Sequence, residues 1–126
     1  MKVLFLDDDA GRHGQFLMQT IGCAVTQVWT APEAIAALDA AEEPFDLASL
    51  DHDLGGRVYV MDGEAGPEGT GLDVARHIAG MEPERRPRQV VVHSFNPAGA
   101  ADMTTTLRAA GVRVQRIMFG QFKVSA

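Results

Sequence analysis

Three short runs hold most of the residues in this chain that can do chemistry. Asp7, Asp8 and Asp9 follow the apolar run VLFL, Asp51, His52 and Asp53 follow FDLASL, and His93, Ser94 and Asn96 follow or flank VVV. Carboxylates gathered at one place repel one another unless a cation or protons intervene. The economical counter-charge is a hard divalent ion, Mg2+ or Mn2+, held by Asp7, Asp8, Asp51 and Asp53 and completed by phosphate oxygens or water. Two imidazoles and a hydroxyl beside such an ion add groups that move protons and donate hydrogen bonds. Asp9 taken alone reads as a helix cap.

These runs can act together only if the fold brings them to one edge. Lys2–Asp7 is a short apolar run ending in acids and predicts a buried strand. Gly11–Ile21 predicts a helix with Phe16, Leu17, Thr20 and Ile21 on its inner face, stopped by Gly22. Ala24–Trp29 is β-branched and predicts a second strand. Thr30 with Glu33 forms a capping box, Pro32 is tolerated in the first turn, and Ala31, Ala34, Ile35 and Leu38 share a face. Phe45–Leu50 predicts a third strand. A Gly-rich stretch follows from His52 to Thr70, with Arg57–Met61 as a small hairpin or covering flap and Gly66–Gly71 as a mobile flap. Thr70 caps a third helix with Leu72, Ala75 and Ile78 in phase. Gln89–Ser94 is a fourth strand. Asn96-Pro97 opens a fourth helix with Ala100, Met103, Leu107 and Ala110 in phase, and Val112–Phe119 is a fifth strand. Only seven residues remain for a fifth helix, which is therefore short or missing.

Alternating strands and helices imply an α/β fold, a parallel sheet covered on both faces. Five strands of this size fit a flavodoxin-like three-layer sandwich of order 2-1-3-4-5. Ligands in such sheets sit at the carboxyl ends of the strands, beside strands one and three. All three chemical runs fall there. Residues alternate faces along a strand, so Asp51 and His52 share a direction only if the chain turns out of the sheet.

At 126 residues and 13.5 kDa the chain is one domain, 1–126. Its 46% hydrophobic and 22% charged residues describe a globular protein rather than a disordered one. The balance of 11 Lys and Arg against 17 Asp and Glu, net −6, disfavours broad nonspecific nucleic-acid binding but leaves a short end or a small nucleotide open. No apolar run is long enough for a membrane helix, and MKVLFLDDD lacks the pattern of a signal peptide, so a cytoplasmic location is expected. One cysteine, Cys23, excludes an intrachain disulfide and a cysteine-based zinc site; it reads as a buried small hydrophobe.

The whole chain resembles a response-regulator receiver domain. Asp7 and Asp8 match the acidic pair after strand one, Asp51 in DLASLD the phosphoacceptor, and Ser94 the hydroxyl after strand four. It departs from that pattern after strand five, where RIMFGQFK has no Lys-Pro, and in the histidines beside Asp51 and Ser94. LFLDDD, SLDHDLGG, TGLDVARHI and VVVHSFNPAG together resemble a narrower family, the cyclic-phosphate-processing receiver domain, from about Leu4 to Pro97. That resemblance implies processing of terminal or small cyclic phosphates.

Opening a 2′,3′-cyclic phosphate needs an activated water, a proton for the leaving oxygen, and positive charge on the phosphoryl oxygens. A metal on the aspartates could activate the water. His52 and His93 could serve as base and acid, or both as ligands, which would favour Mn2+, Fe2+ or Zn2+. Ser94 could donate to a phosphoryl oxygen, and Asn96, the N-terminus of the helix at Pro97, and Arg116 or Arg113 could complete the anion site. The expected catalytic set is thus His52, His93, Ser94 and Asp51. His13 beside Arg12 reads either as a site residue or as a solvated helix start, His77 as surface, and Arg85, Arg86 and Arg88 as a solvated basic loop. Three functions are open: a metal-dependent phosphoesterase acting on an RNA terminus or a small cyclic nucleotide, a stand-alone receiver phosphorylated on Asp51, and a receiver-like binding module. A homodimer is expected on the ground that strand five lacks a covering helix.

Overall fold

The structure is a computed structural model, and residues 1–56 and 65–119 are described. The predicted hairpin at Arg57–Met61 and any fifth helix beyond Phe119 lie outside the described residues. Five parallel strands pair in the order β2-β1-β3-β4-β5: β1 Lys2–Leu6, β2 Ala24–Val28, β3 Leu47–Leu50, β4 Val90–Val92 and β5 Val114–Arg116. The helices are α1 Ala10–Gln19, α2 Ala31–Ala40, α3 Gly71–Gly80 and α4 Pro97–Ala109, with a 3-10 turn at Pro83–Arg85. The flavodoxin-like order expected from the alternation is the one found.

Period-two alternation sorts the strands onto two cores. Leu4, Leu6, Ala48, Leu50, Val90, Val92 and Val114 pack against α2, α3 and α4. Val3, Phe5, Leu47 and Val91 face the other way, onto Phe16 of α1. Cys23 is half-buried at the margin of that smaller cluster rather than fully enclosed. Within α1, Phe16 and Thr20 are buried as expected, but Leu17 and Ile21 are exposed and His13 takes the inner position instead. The fifth strand is shorter than expected at its start because the Val112 N–H closes back on Leu107 O, ending α4.

Helix starts follow the sequence closely. Thr30 Oγ accepts the Glu33 N–H, and the Glu33 carboxylate accepts from the Trp29 N–H and the Thr30 hydroxyl. Asn96 Oδ1 caps α4 by accepting the Gly99 N–H. Residues 66–69 form a turn, and Glu68 O accepts the Ala31 N–H, so the expected flap is tied to the start of α2. Arg86 is not a solvated loop residue: its guanidinium donates to the carbonyls of Ile78, Ala79, Met81 and Ala110, joining the ends of α3 and α4. Within β5, Val114 is buried while Gln115 and Arg116 are exposed, so this stretch leaves no bare apolar face of its own. Among the described residues no helix is long and apolar enough to cross a membrane.

Candidate functional site

Strand register assembles the site. The last paired row of the sheet runs Val28, Leu6, Leu50, Val92, Arg116. The ladder continues one residue further: Asp7 N donates to Val28 O, Asp51 N to Leu6 O, His93 N to Leu50 O, and Ile117 N to Val92 O. The next row is therefore Trp29, Asp7, Asp51, His93 and Ile117. By alternation it stands on the α1 side. His52 falls on the opposite parity, and its ring lies against Gly99 in the first turn of α4.

On the α1 side, one cation and a buried histidine meet the carboxylates. Arg12 holds Asp7 with a two-pronged contact, Nε to Oδ2 and Nη2 to Oδ1, each 2.8 Å. Its guanidinium also lies 3.4 Å from Asp8 and 3.6 Å from Asp51. Asp9 is half exposed and caps α1 through the Arg12 N–H, as its reading as a cap anticipated. His93 is buried, with both ring nitrogens engaged: Nε2–H donates to Asp7 Oδ2 at 2.9 Å and Nδ1 accepts from the Ser49 hydroxyl at 2.8 Å. Its ring stacks on Phe5.

Electrostatics divide the acids. Burial alone would raise Asp7, but the hydrogen bonds from His93 and Arg12 outweigh it and bring its carboxyl down to about 2. Burial, reinforced by the charge of Asp7, pushes Asp51 up to about 8, with Arg12 opposing only in part. Burial lowers His93, which therefore sits as a neutral donor to Asp7. Asp7, Asp8 and Asp51 offer oxygens that all lie within 4.8 Å of one another. An acid pushed towards its neutral form by burial and by the charge of Asp7, in a cluster of oxygen donors this tight, is chemistry that fits a hard divalent cation. Asp53, expected among the ligands, turns elsewhere.

On the opposite side, a second network forms. His52 Nδ1–H donates to Asp53 Oδ1 at 3.0 Å, and Asn96 Nδ2 donates to the same oxygen at 3.1 Å. A carboxylate only accepts, so the proton of a neutral His52 ring is fixed on Nδ1 and Nε2 keeps the lone pair. Ser94 is buried, and its Oγ accepts the Asn96 N–H. Arg116 reaches the carbonyl of Ser94 at 3.4 Å rather than a carboxylate. The two histidines thus leave the sheet on opposite faces instead of facing each other as one pair.

Sequence reasoning misses two contributors, Arg12 and Gly71, as site residues, and leaves a third, His13, open between a site role and a solvated helix start. Arg12 was singled out only as the neighbour of His13; its spacing of three to five residues from three aspartates, at a helix start, was the available signal. His13 is buried, not solvated: Nε2–H donates to Asp7 O at 2.9 Å and the ring stacks on Trp29. Gly71 packs so closely that a Cβ would collide with Asp51 O. His77 is at the surface beside Asp39, as expected.

A five-stranded parallel sheet in this order, with an acidic pair after β1, Asp51 after β3 and Ser94 after β4, defines a receiver-type domain. Solved receivers share the fold. The chain superposes on a CheY-like receiver domain from Methylobacillus flagellatus with TM-score 0.65 at 14% identity, covering 98% of this chain and 88% of that one. A signal receiver domain of a LuxO-type repressor from Vibrio parahaemolyticus gives 0.61 at 18%, covering 91% and 76%. A response regulator from Burkholderia pseudomallei, with a phosphorylated aspartic acid, a calcium ion and citrate, gives 0.59 at 20%, covering 91% and 58%. No curated protein sequence matches the chain. The model of the cyclic-phosphate processing receiver domain matches residues 2–109, and the chain belongs to that family.

Proposed function

We propose that this domain is a divalent-metal-dependent phosphoesterase that opens cyclic phosphates, either free 2′,3′-cyclic nucleotides or the cyclic ends of RNA. The observation that carries the reading is the cluster of Asp7, Asp8 and Asp51, with oxygens within 4.8 Å of one another, followed in the chain by a histidine, His52, that points to the other face and whose Nδ1–H is held by Asp53. A signalling receiver needs the aspartates; it has no use for that histidine. Mg2+ or Mn2+ would be held by Asp7, Asp8 and Asp51, and when bound it supplies Lewis-acid polarisation of the phosphate and a more acidic water. A calcium ion accompanies the phosphorylated aspartate of the Burkholderia pseudomallei receiver, which supports a cation in this fold.

In the reaction one water adds to phosphorus, one ring P–O bond breaks, and the proton lost by the water is balanced by the one gained by the leaving oxygen. His52 Nε2 is assigned the proton transfer from the water to the leaving oxygen, with Asp53 and Asn96 holding the ring; because that ring is buried on the face opposite the Asp7, Asp8 and Asp51 cluster, the substrate must lie across the sheet edge between them. His93, between Ser49 and Asp7, orients the Asp7 carboxylate rather than exchanging a proton with substrate. Arg12 balances charge on the α1 side. Ser94 and the start of α4, with Asn96 as its cap, give hydrogen-bond donors for phosphoryl oxygens, and Arg116 stiffens the β4–α4 turn through the Ser94 carbonyl.

Phosphorus NMR of a 2′,3′-cyclic nucleotide, with Mg2+ or Mn2+ and an EDTA control, tests this. Metal-dependent loss of the cyclic signal is expected, slowed roughly 100-fold or more by His52→Ala and by Asp51→Asn with the circular dichroism unchanged. Full turnover in both variants would remove the assignment. The second reading, a receiver phosphorylated on Asp51, is favoured by the position of that residue at the end of β3 among receiver-like neighbours. Phosphorylation by acetyl phosphate, abolished in Asp51→Asn and accompanied by no hydrolysis of any cyclic phosphate, would establish it instead.

A further inference from the structure

The chain has one tryptophan, and it stands in the same row as the acids. Trp29 follows β2 directly, and its row neighbour across the sheet is Asp7. The indole stacks on the His13 ring at 3.8 Å between centroids and 18° between planes. His13 is itself fixed, by its bond to Asp7 O, by the side-chain amide of Gln27 at 3.1 Å, and by an edge contact with Phe5. The Trp29 backbone N–H is tied to Glu33. Trp29 as a whole nevertheless keeps 37% of its surface exposed. One face of the indole is covered by His13, which leaves the other face and the edge as the surfaces a base could meet.

A single exposed aromatic residue is ordinary on a protein surface. This one differs in being immobilised by a buried imidazole, one side chain removed from Asp7, on the ligand-binding edge of the sheet. A flat, rigid π-surface held open beside a phosphate-handling site is the feature on which proteins stack nucleobases. Rigid placement means little freedom is lost when a base lands on it.

We propose that Trp29 is the stacking platform for a nucleobase, so that the substrate is a nucleoside cyclic phosphate, free or at an RNA end, rather than a cyclic phosphate lacking a base. This rests on the phosphoesterase reading for the reaction but not for the binding. Among the described residues Phe95 is the other exposed aromatic residue at this edge, 49% exposed between buried Ser94 and Asn96, and serves as the competing platform.

Because Trp29 is the sole tryptophan, its fluorescence reports the event directly. The protein is titrated with 2′,3′-cyclic AMP, with 2′,3′-cyclic UMP, with a short RNA ending in the cyclic phosphate, and with methyl ribofuranoside 2,3-cyclic phosphate as the base-free control. Each titration is run with Mg2+ and with EDTA, and affinities are measured in parallel by calorimetry. Saturable quenching by the nucleotides and none by the control is expected. Trp29→Ala should weaken nucleotide binding roughly tenfold or more and leave the control unchanged, while Trp29→Phe should restore most of it. Comparison of the mononucleotide with the RNA shows which of the two carries the base. The platform is overturned if no nucleotide quenches, if the base-free compound binds as well as cyclic AMP, or if Phe95→Ala weakens binding while Trp29→Ala does not. Hydrolysis of the base-free compound at the nucleotide's rate would overturn it and leave the phosphoesterase intact. Quenching without any turnover would keep the platform and remove the phosphoesterase.

Discussion

Asp7 and Asp51 are neighbours in one row, yet their environments push them in opposite directions. The consequence is measurable without any substrate. Asp51 keeps its proton in the folded state up to about 8 and loses it at 3.8 when unfolded. Between those values the folded form binds the extra proton, so stability present below pH 3.8 is lost as pH rises through about 8. Asp7, lowered to about 2, acts the other way: its stabilisation is present above pH 3.8 and lost as pH falls towards about 2. Urea midpoints taken in EDTA from pH 4 to 8 should therefore decline more steeply for the native chain than for Asp51→Asn. Equal slopes would show that Asp51 is ionised throughout. The cause of the split lies in which acid receives the His93 N–H and the Arg12 fork, and it is Asp7.

At the level of elements, the site depends on how closely α3 and α4 approach the end of β3. Gly71 N donates to His52 O, and its α-carbon leaves no room for a side chain beside Asp51 O. Gly71→Ala should cost roughly 1–3 kcal/mol by forcing α3 away from β3. Gly80→Ala, at the other end of the same helix with nothing within 4 Å, should be neutral or slightly stabilising. Thermal melts of the two variants decide the matter, and equal effects would mean that α3 adjusts freely. The sheet, its order and the helix caps were legible in the sequence because they are local: short apolar runs, Thr30 with Glu33, Asn96 with Pro97. The acids, Ser94 and Asn96 were legible because a parallel sheet presents its ligand groups at one edge. The side each residue takes once the chain leaves the sheet was not legible. Alternation separates His93 from His52 only when the register is known, and His13 becomes buried only because Trp29 and Gln27 of a different segment close over it.

The charge of the whole molecule is unevenly placed. Arg88 and Arg113 precede β4 and β5, and with Arg86 they line a concave surface of about 410 Å³ at the amino ends of the strands, whereas the aspartates crowd the carboxyl ends. Asp7, Asp8, Asp9, Asp51 and Asp53 at the carboxyl edge, in a chain of net charge −6, would repel the body of an RNA more than a single nucleotide at the proposed site. The rate constant kcat/KM for a cyclic-phosphate RNA of ten nucleotides should rise as salt is increased from 20 to 200 mM, and that for a cyclic mononucleotide should change less. Most proteins that grip nucleic acid show the reverse. A steep fall with salt would mean that the basic end, not the acidic edge, governs the encounter.

Arg12 carries a consequence beyond the reaction. Many small metal-binding domains cannot fold until the ion arrives, because their ligands repel one another when it is absent. Here a guanidinium on the first turn of α1 already offsets part of that repulsion. The chain is therefore expected to fold without a divalent ion, and a urea midpoint in EDTA close to that in Mg2+ would bear this out. An ion arriving at the proposed site would exchange with a tethered cation rather than filling a vacuum. On the proposed metal-dependent reading, supply of the ion would govern turnover, while the lifetime of the molecule would be set by its own sequence.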